Sequence, residues 1–231
     1  MTRPGLRQRG VSMFIVLVMV MLSSLLVIWA SRTALFSEMI TGNDSDYQRA
    51  FEAAQAMVRD AEFDIMGTLS DGRTECRRGA AYVGCRDLSG GIFFPADEAD
   101  FQNLSDSLRK APLLCVRGIC LANDGKFLNS QGDLEAMKKV AATYGAHTGA
   151  KATAASNPLL MTGAGQEARA WYWVEVLPYD VGAATAAGPA QRYAPDAGSP
   201  YVFRITAIAK GLKPNSLAVV QTVFVRKRMD S

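Results

Sequence analysis

The chain opens with a short basic segment and then loses charge entirely. Residues 1–10, MTRPGLRQRG, carry Arg3, Arg7 and Arg9 and no acid, and the next charges after Val11–Ala30 are Arg32 and Glu38. An α-helix over this uncharged run is roughly 30 Å long, the thickness of a bilayer hydrocarbon core. The pattern then changes. Ala50, Ala54, Met57, Val58, Ala61 and Ile65 recur at helical spacing and form one apolar stripe, with Arg49, Glu52, Arg59, Asp60 and Glu62 on other faces. Between Ala30 and Phe51 there is no proline and one glycine, Gly42. The pattern therefore predicts a single helix from Val11 to about Met66, on the order of 80 Å long, with Gly42-Asn43 as the place for a kink. Its first half is apolar all round and its second half is amphipathic.

The C-terminal part reads as strand. Trp171–Leu177 is aromatic and β-branched. Tyr201, Phe203, Ile205, Ala207 and Ala209 alternate with Arg204, Thr206 and Lys210, as in a half-buried strand, and Leu217–Val225 follows after a Gly/Pro/Asn turn cluster. Three or more antiparallel strands are expected, with their apolar face on the amphipathic half of the helix. A short helix is expected at Asp133–Tyr144. Residues 145–170 and 181–200, rich in Ala, Gly, Pro, Ser and Thr, read as long mobile loops, either a partner surface or tolerated slack.

Three readings fit the N-terminal run. A secretory signal has a shorter apolar region and a small-x-small cleavage site, and Ile28-Trp29-Ala30 makes a poor one. A plain anchor fits the length but gives no reason for the abrupt Arg9-Gly10-Val11 boundary. The third is a class III prepilin leader, cut after glycine at the cytoplasmic face so that the hydrophobic helix stays on the mature protein. The basic flank places the N-terminus in the cytoplasm and the C-terminus outside.

The motifs that decide among these are spread along the chain. Gln8-Arg9-Gly10-Val11, the apolar run, Thr41-Gly42-Asn43-Asp44, Ala50-Phe51-Glu52-Ala53-Ala54-Gln55-Ala56 and Arg59-Asp60-Ala61-Glu62 resemble the N-terminal region of PilX-type minor pilins. Phe203-Arg204-Ile205-Thr206-Ala207 and Val219-Val220-Gln221-Thr222-Val223-Phe224-Val225 resemble that family's last two strands. The likeness covers residues 8–65 and 200–227 well, and the middle shows no clear counterpart. It implies an α+β, pilin-like fold, a long N-terminal helix packed on an antiparallel sheet. The parts are a cleavable leader (1–10), a transmembrane and fibre-core half (11–30), an amphipathic half (31–66) and an exported domain (67–231). It also implies cleavage by prepilin peptidase between Gly10 and Val11, and methylation of Val11. The implied partners are other minor pilins, the major pilin and a PilY-type tip adhesin. The implied place is the inner membrane before assembly and the pilus afterwards.

One residue departs from the general pilin pattern. Most pilins carry glutamate at the fifth mature position, where it attracts the N-terminal amine of the subunit already assembled. Cleavage after Gly10 puts Ile15 there. A subunit with Ile15 lacks that attraction to a neighbour ahead but can offer its own amine to the next one, as suits a first subunit.

Cys76, Cys85, Cys115 and Cys120 all follow the apolar run, on the side expected to be oxidising. Three connectivities are possible. Local pairs Cys76–Cys85 and Cys115–Cys120 are favoured over the crossed pairing of Cys76 with Cys120 and Cys85 with Cys115. Their spacings are not those of a common zinc knuckle, and the one histidine, His147, lies far off in a polar loop and reads as solvated. The net charge of +3 carries no nucleic-acid message. No nucleophile–base pattern, Gly-rich phosphate loop or metal motif is present, and Asn123-Asp124-Gly125-Lys126 reads as a turn rather than a calcium loop. Trp171 and Trp173 share a strand face and read as core. The expected function is structural, a minor pilin in a tip-located priming complex, with no enzyme activity and no cofactor. The rivals are a type II secretion tip pseudopilin and a single-span periplasmic enzyme or receptor with an uncut anchor.

Overall fold

A computed structural model describes residues 11–76, 84–86, 91–122, 131–153, 156–162, 167–180, 194–196 and 198–226. The chain divides into two units between Ser45 and Asp46. Helix α1 (Val11–Met66) runs unbroken through Gly42. It stops at Gly67, whose φ of 70° suits a residue without Cβ. There the N–H groups of Thr68 and Gly67 donate to the Phe63 and Asp64 carbonyls at 3.0 and 3.1 Å. Helix α2 (Glu98–Arg109) follows an Asp97 cap whose carboxylate accepts from the Asp100 N–H, with acids in its first turn and Arg109 in its last.

The sheet contains β1 (Cys115–Val116), β2 (Ile119–Leu121), β3 (Ala142–Thr143), β4 (Ala170–Pro178), β5 (Tyr201–Lys210) and β6 (Leu217–Phe224). Its order is β1-β2-β4-β5-β6, and β3 also pairs with β4. The three long strands are antiparallel, as the alternation predicts. The sheet as a whole is mixed, because β2 runs parallel to β4. A parallel pair needs a long crossover, and helix α3 (Gln131–Lys138) lies within it. The helix expected at Asp133–Tyr144 thus begins and ends early. Ala142 and Thr143 are instead drawn into pairing with Tyr172 and Trp171.

Both faces of the central strands are covered. On the α1 side, the cross-strand rows Ala170–Ala209–Ala218 and Tyr172–Ala207–Val220 belong to the core cluster that contains Ala50, Ala53, Ala54, Met57, Ala61 and Ile65. Val58, expected in the stripe, is only half-buried. On the other side, Trp171, Trp173 and Ile208 pack with Cys115, Cys120 and Met137, and the Trp173 indole N–H donates to the Met137 carbonyl at 3.1 Å. This second layer corrects the half-buried reading of β5, in which Thr206 and Ile208 are also buried. The 145–170 stretch is not slack where it is described. Leu159 and Leu160 enter the α1 core, and Asn157 donates from its amide to the Arg49 carbonyl at 2.7 Å.

Candidate assembly site

The first half of α1 offers a continuous apolar surface. Val11, Phe14, Ile15, Val18, Leu22, Leu25, Ile28 and Trp29 are all exposed, and Ile15 keeps 52% of its surface. The helix carries a window of mean hydropathy 2.8, long and apolar enough to cross a membrane. Val11 is its first residue, and Gly10 lies outside the described residues.

The second half of α1 is held by three carboxylates. Asp46 accepts from the Leu212 and Lys213 N–H groups, both at 3.0 Å, in the β5–β6 turn. Burial pushes its pKa up, but these bonds together hold the carboxyl below its ordinary value. Asp60, which the helical wheel places on a polar face, is in fact buried. It accepts from the Thr148 hydroxyl and from the Gly145 N–H. Burial outweighs these bonds and pushes its pKa up to about 6. One turn on, Asp64 accepts from Arg86 Nε at 3.0 Å, from Arg86 Nη2, and from the Tyr172 hydroxyl at 2.7 Å.

Arg86 links both disulfide loops to the helix. The bridges are Cys76–Cys85 and Cys115–Cys120. Cys85 sets the neighbouring Arg86 against Asp64, while Arg86 Nη1 donates to the Arg117 carbonyl, inside the second loop, at 2.9 Å. His147 lies near this network and is partly buried rather than solvated; burial, followed by the Arg86 charge, pushes its pKa down to about 4. The arrangement is a fixing device for a helix on a sheet. Asp60 lies in the Arg59-Asp60-Ala61-Glu62 stretch that resembles the pilin family, but nothing in the sequence marks it, Asp64, Arg86, Tyr172 or Thr148 as a fastening residue, because their partners are distant in the chain. The turn read at Asn123–Lys126 lies outside the described residues.

An exposed apolar helix half, a sheet fastened to the other half and two disulfides are the parts of a pilin. Residues 96–226 match the family described as type IV pilus assembly protein PilX, C-terminal. The chain belongs to the PilX family. Residues 9–59 match the PilX N-terminal family. No curated protein and no solved structure gives a significant match. Membership makes this chain a type IV pilus assembly minor pilin, whose partners are other pilus components. In a PilX-family pilin the exposed half of α1 is consistent with membrane anchoring and placement in the pilus.

Proposed function

We propose that this minor pilin primes pilus assembly and stays at the leading end of the fibre. The observation that carries the reading is Ile15, an exposed apolar side chain in a run with no charge from Val11 to Ser31. An unpaired carboxylate in hydrocarbon is costly, so a pilin with glutamate at its fifth position gains by docking against an amine ahead of it. This chain enters without that need, and its own amine at Val11 serves the subunit that follows.

The reading has four parts. Residues 1–10 are a cytoplasmic leader, removed by prepilin peptidase after Gly10 with methylation of Val11. Residues 11–30 cross the inner membrane and later pack in the fibre core. Residues 31–66 and 67–231 form the amphipathic half and the exported domain, on the side where disulfides persist. The partners are other minor pilins, the major pilin and a PilY-type adhesin at the tip. Immunogold labelling of sheared pili tests the location. Label is expected at fibre ends and far below shaft abundance; even labelling along the fibre at shaft-like abundance overturns the reading. Intact mass tests the leader. Loss of residues 1–10 and gain of one methyl group are expected, and a full-length mass rules out the cut. Gly10→Val, which crowds the scissile backbone, should block processing, while Gly10→Ala should be tolerated.

A further inference from the structure

The two disulfides differ in what surrounds them. Cys115 and Cys120 are buried against Trp171, Trp173 and Met137, and they join directly opposed residues of β1 and β2. Cys76 and Cys85 are half-buried, and Cys76 lines a half-open cavity of about 190 Å³ with Met66, Arg86 and His147. Thiol–disulfide exchange needs a thiolate to reach a sulfur. Cys76–Cys85 gives that access and Cys115–Cys120 does not.

The accessible bridge also joins the two sides of a clamp on α1. One side leaves the end of the helix. There the Cys76 N–H donates to the Gly67 carbonyl at 2.7 Å, and the Ser70 N–H to the Thr148 carbonyl at 2.9 Å. The other side is Gly84-Cys85-Arg86. Cys85 pairs with Thr148 in an isolated antiparallel bridge. Gly84 lies so close to Gly149 that a Cβ on it would stand 2.5 Å from the Gly149 Cα. Thr148 is fully buried and donates its hydroxyl to Asp60, and Arg86 donates to Asp64. The two carboxylates in the last turns of α1 thus each take a partner from chain that Cys76–Cys85 keeps in place. Losing Arg86 would leave Asp64 a buried charge without its cation.

We propose that Cys76–Cys85 is a thiol-sensitive latch on the C-terminal end of α1. Closed, it holds Arg86 on Asp64 and Thr148 on Asp60. Open, it frees the helix from Asp60 onward, while the packing of Ala50–Met57 and the sheet persist. Closure is exchange with the disulfide of an exported oxidoreductase: Cys76 and Cys85 lose two electrons and two protons, and the oxidant's disulfide becomes a dithiol. Opening by a dithiol runs the other way. Its first thiolate attacks Cys76 Sγ, and Cys85 leaves as a thiolate and takes up a proton. The second thiol then attacks the mixed disulfide, so that Cys76 is released and the reductant closes on itself. The latch acts within the second unit, so it stands or falls apart from the tip reading.

Graded dithiothreitol on the full chain in detergent micelles tests this. Free thiols are alkylated and located by peptide mass, with amide exchange followed in parallel. Cys76 and Cys85 should be alkylated first, while Cys115 and Cys120 stay paired. In that state exchange at Asp60–Met66 and Ala146–Ala150 should quicken on the order of a hundredfold, with β4 and β5 unchanged. Two variants separate the latch from loop entropy. In Arg86→Met the helix end is already loose, and in Asp64→Asn no charge is left behind when Arg86 departs. Opening the bridge should therefore change exchange at Asp60–Met66 far less in either variant than in the parent. Four outcomes overturn the proposal: a Cys76–Cys85 bridge that resists dithiothreitol or opens no earlier than Cys115–Cys120, opening without faster exchange at Asp60–Met66, an equal effect in the parent and the variants, or loss of protection throughout the sheet on opening.

Discussion

Asp60 and His147 titrate in opposite senses over the same range. The Asp60 pKa is raised to about 6, so the folded state binds the extra proton and stability falls as pH rises from the unfolded carboxylate value. The His147 pKa is lowered to about 4, so the unfolded state binds the extra proton and stability rises over much of the same range. Each contributes on the order of 3 kcal/mol, and the two nearly cancel. Thermal unfolding against pH should therefore be almost flat between about 4 and 6 as far as this pair is concerned. Asp60→Asn should leave a melting temperature that climbs with pH, and His147→Gln one that falls. Identical slopes in both variants would rule out the pairing. Arg86 makes a sharper case. Arg86→Met leaves the Asp64 carboxylate buried beside Tyr172 without its cation, a loss of about 3–5 kcal/mol in chemical denaturation. Adding Asp64→Asn should restore part of it; a double variant as unstable as the sum of the two single ones contradicts the account.

At the scale of elements, the β5–β6 turn is clamped by Asp46, and Gly211 makes the clamp possible. A Cβ at Gly211 would stand 2.3 Å from Asp46 Oδ2, with the Ser216 side chain also in its way. Gly211→Ala should expel the carboxylate and speed amide exchange at Leu212 and Lys213 while leaving β4 protected. The Cys76–Cys85 loop has a larger part, because it delivers Arg86. Its removal by paired serines should cost about 2–4 kcal/mol by loop entropy alone. Removing Cys115–Cys120, the shorter loop, should cost less. Strand β5 was legible from alternation, β4 from its aromatic and β-branched residues, β6 from the turn cluster before it, and α1 from its two apolar patterns. Helix α2 was missed: Asp97, Glu98, Asp100 and a late Arg109 are its capping and charge signals, but few apolar residues drew attention to it. The second covering layer of the sheet was not legible either. Ile208 and Thr206 look like neighbours of solvent-facing positions until α3 is known to lie over Trp171 and Trp173. Asp60 and Asp64 were illegible for a stronger reason. A carboxylate on an amphipathic helix ordinarily marks the wet face, and the groups that overturn this lie more than 80 residues away for Thr148 and more than 100 for Tyr172.

At the scale of the molecule, the core begins at Ala50 and the second unit at Asp46. Residues 46–231 contain both disulfides, the whole sheet and all three fastening carboxylates. A fragment of those residues should be soluble without detergent and unfold in one cooperative transition. Non-native disulfides or a broad, non-cooperative melt would show that the apolar half is needed for folding.

The three carboxylates also say something about force. Asp46, Asp60 and Asp64 spread over roughly 27 Å of helix axis, and each grips a different loop. Tension applied along α1 loads all three grips in parallel and must break them together, whereas a pull that lifts one end breaks them in succession. The joint between helix and sheet is thus strong in shear and weak in peel, which suits a link in a chain that is hauled lengthwise.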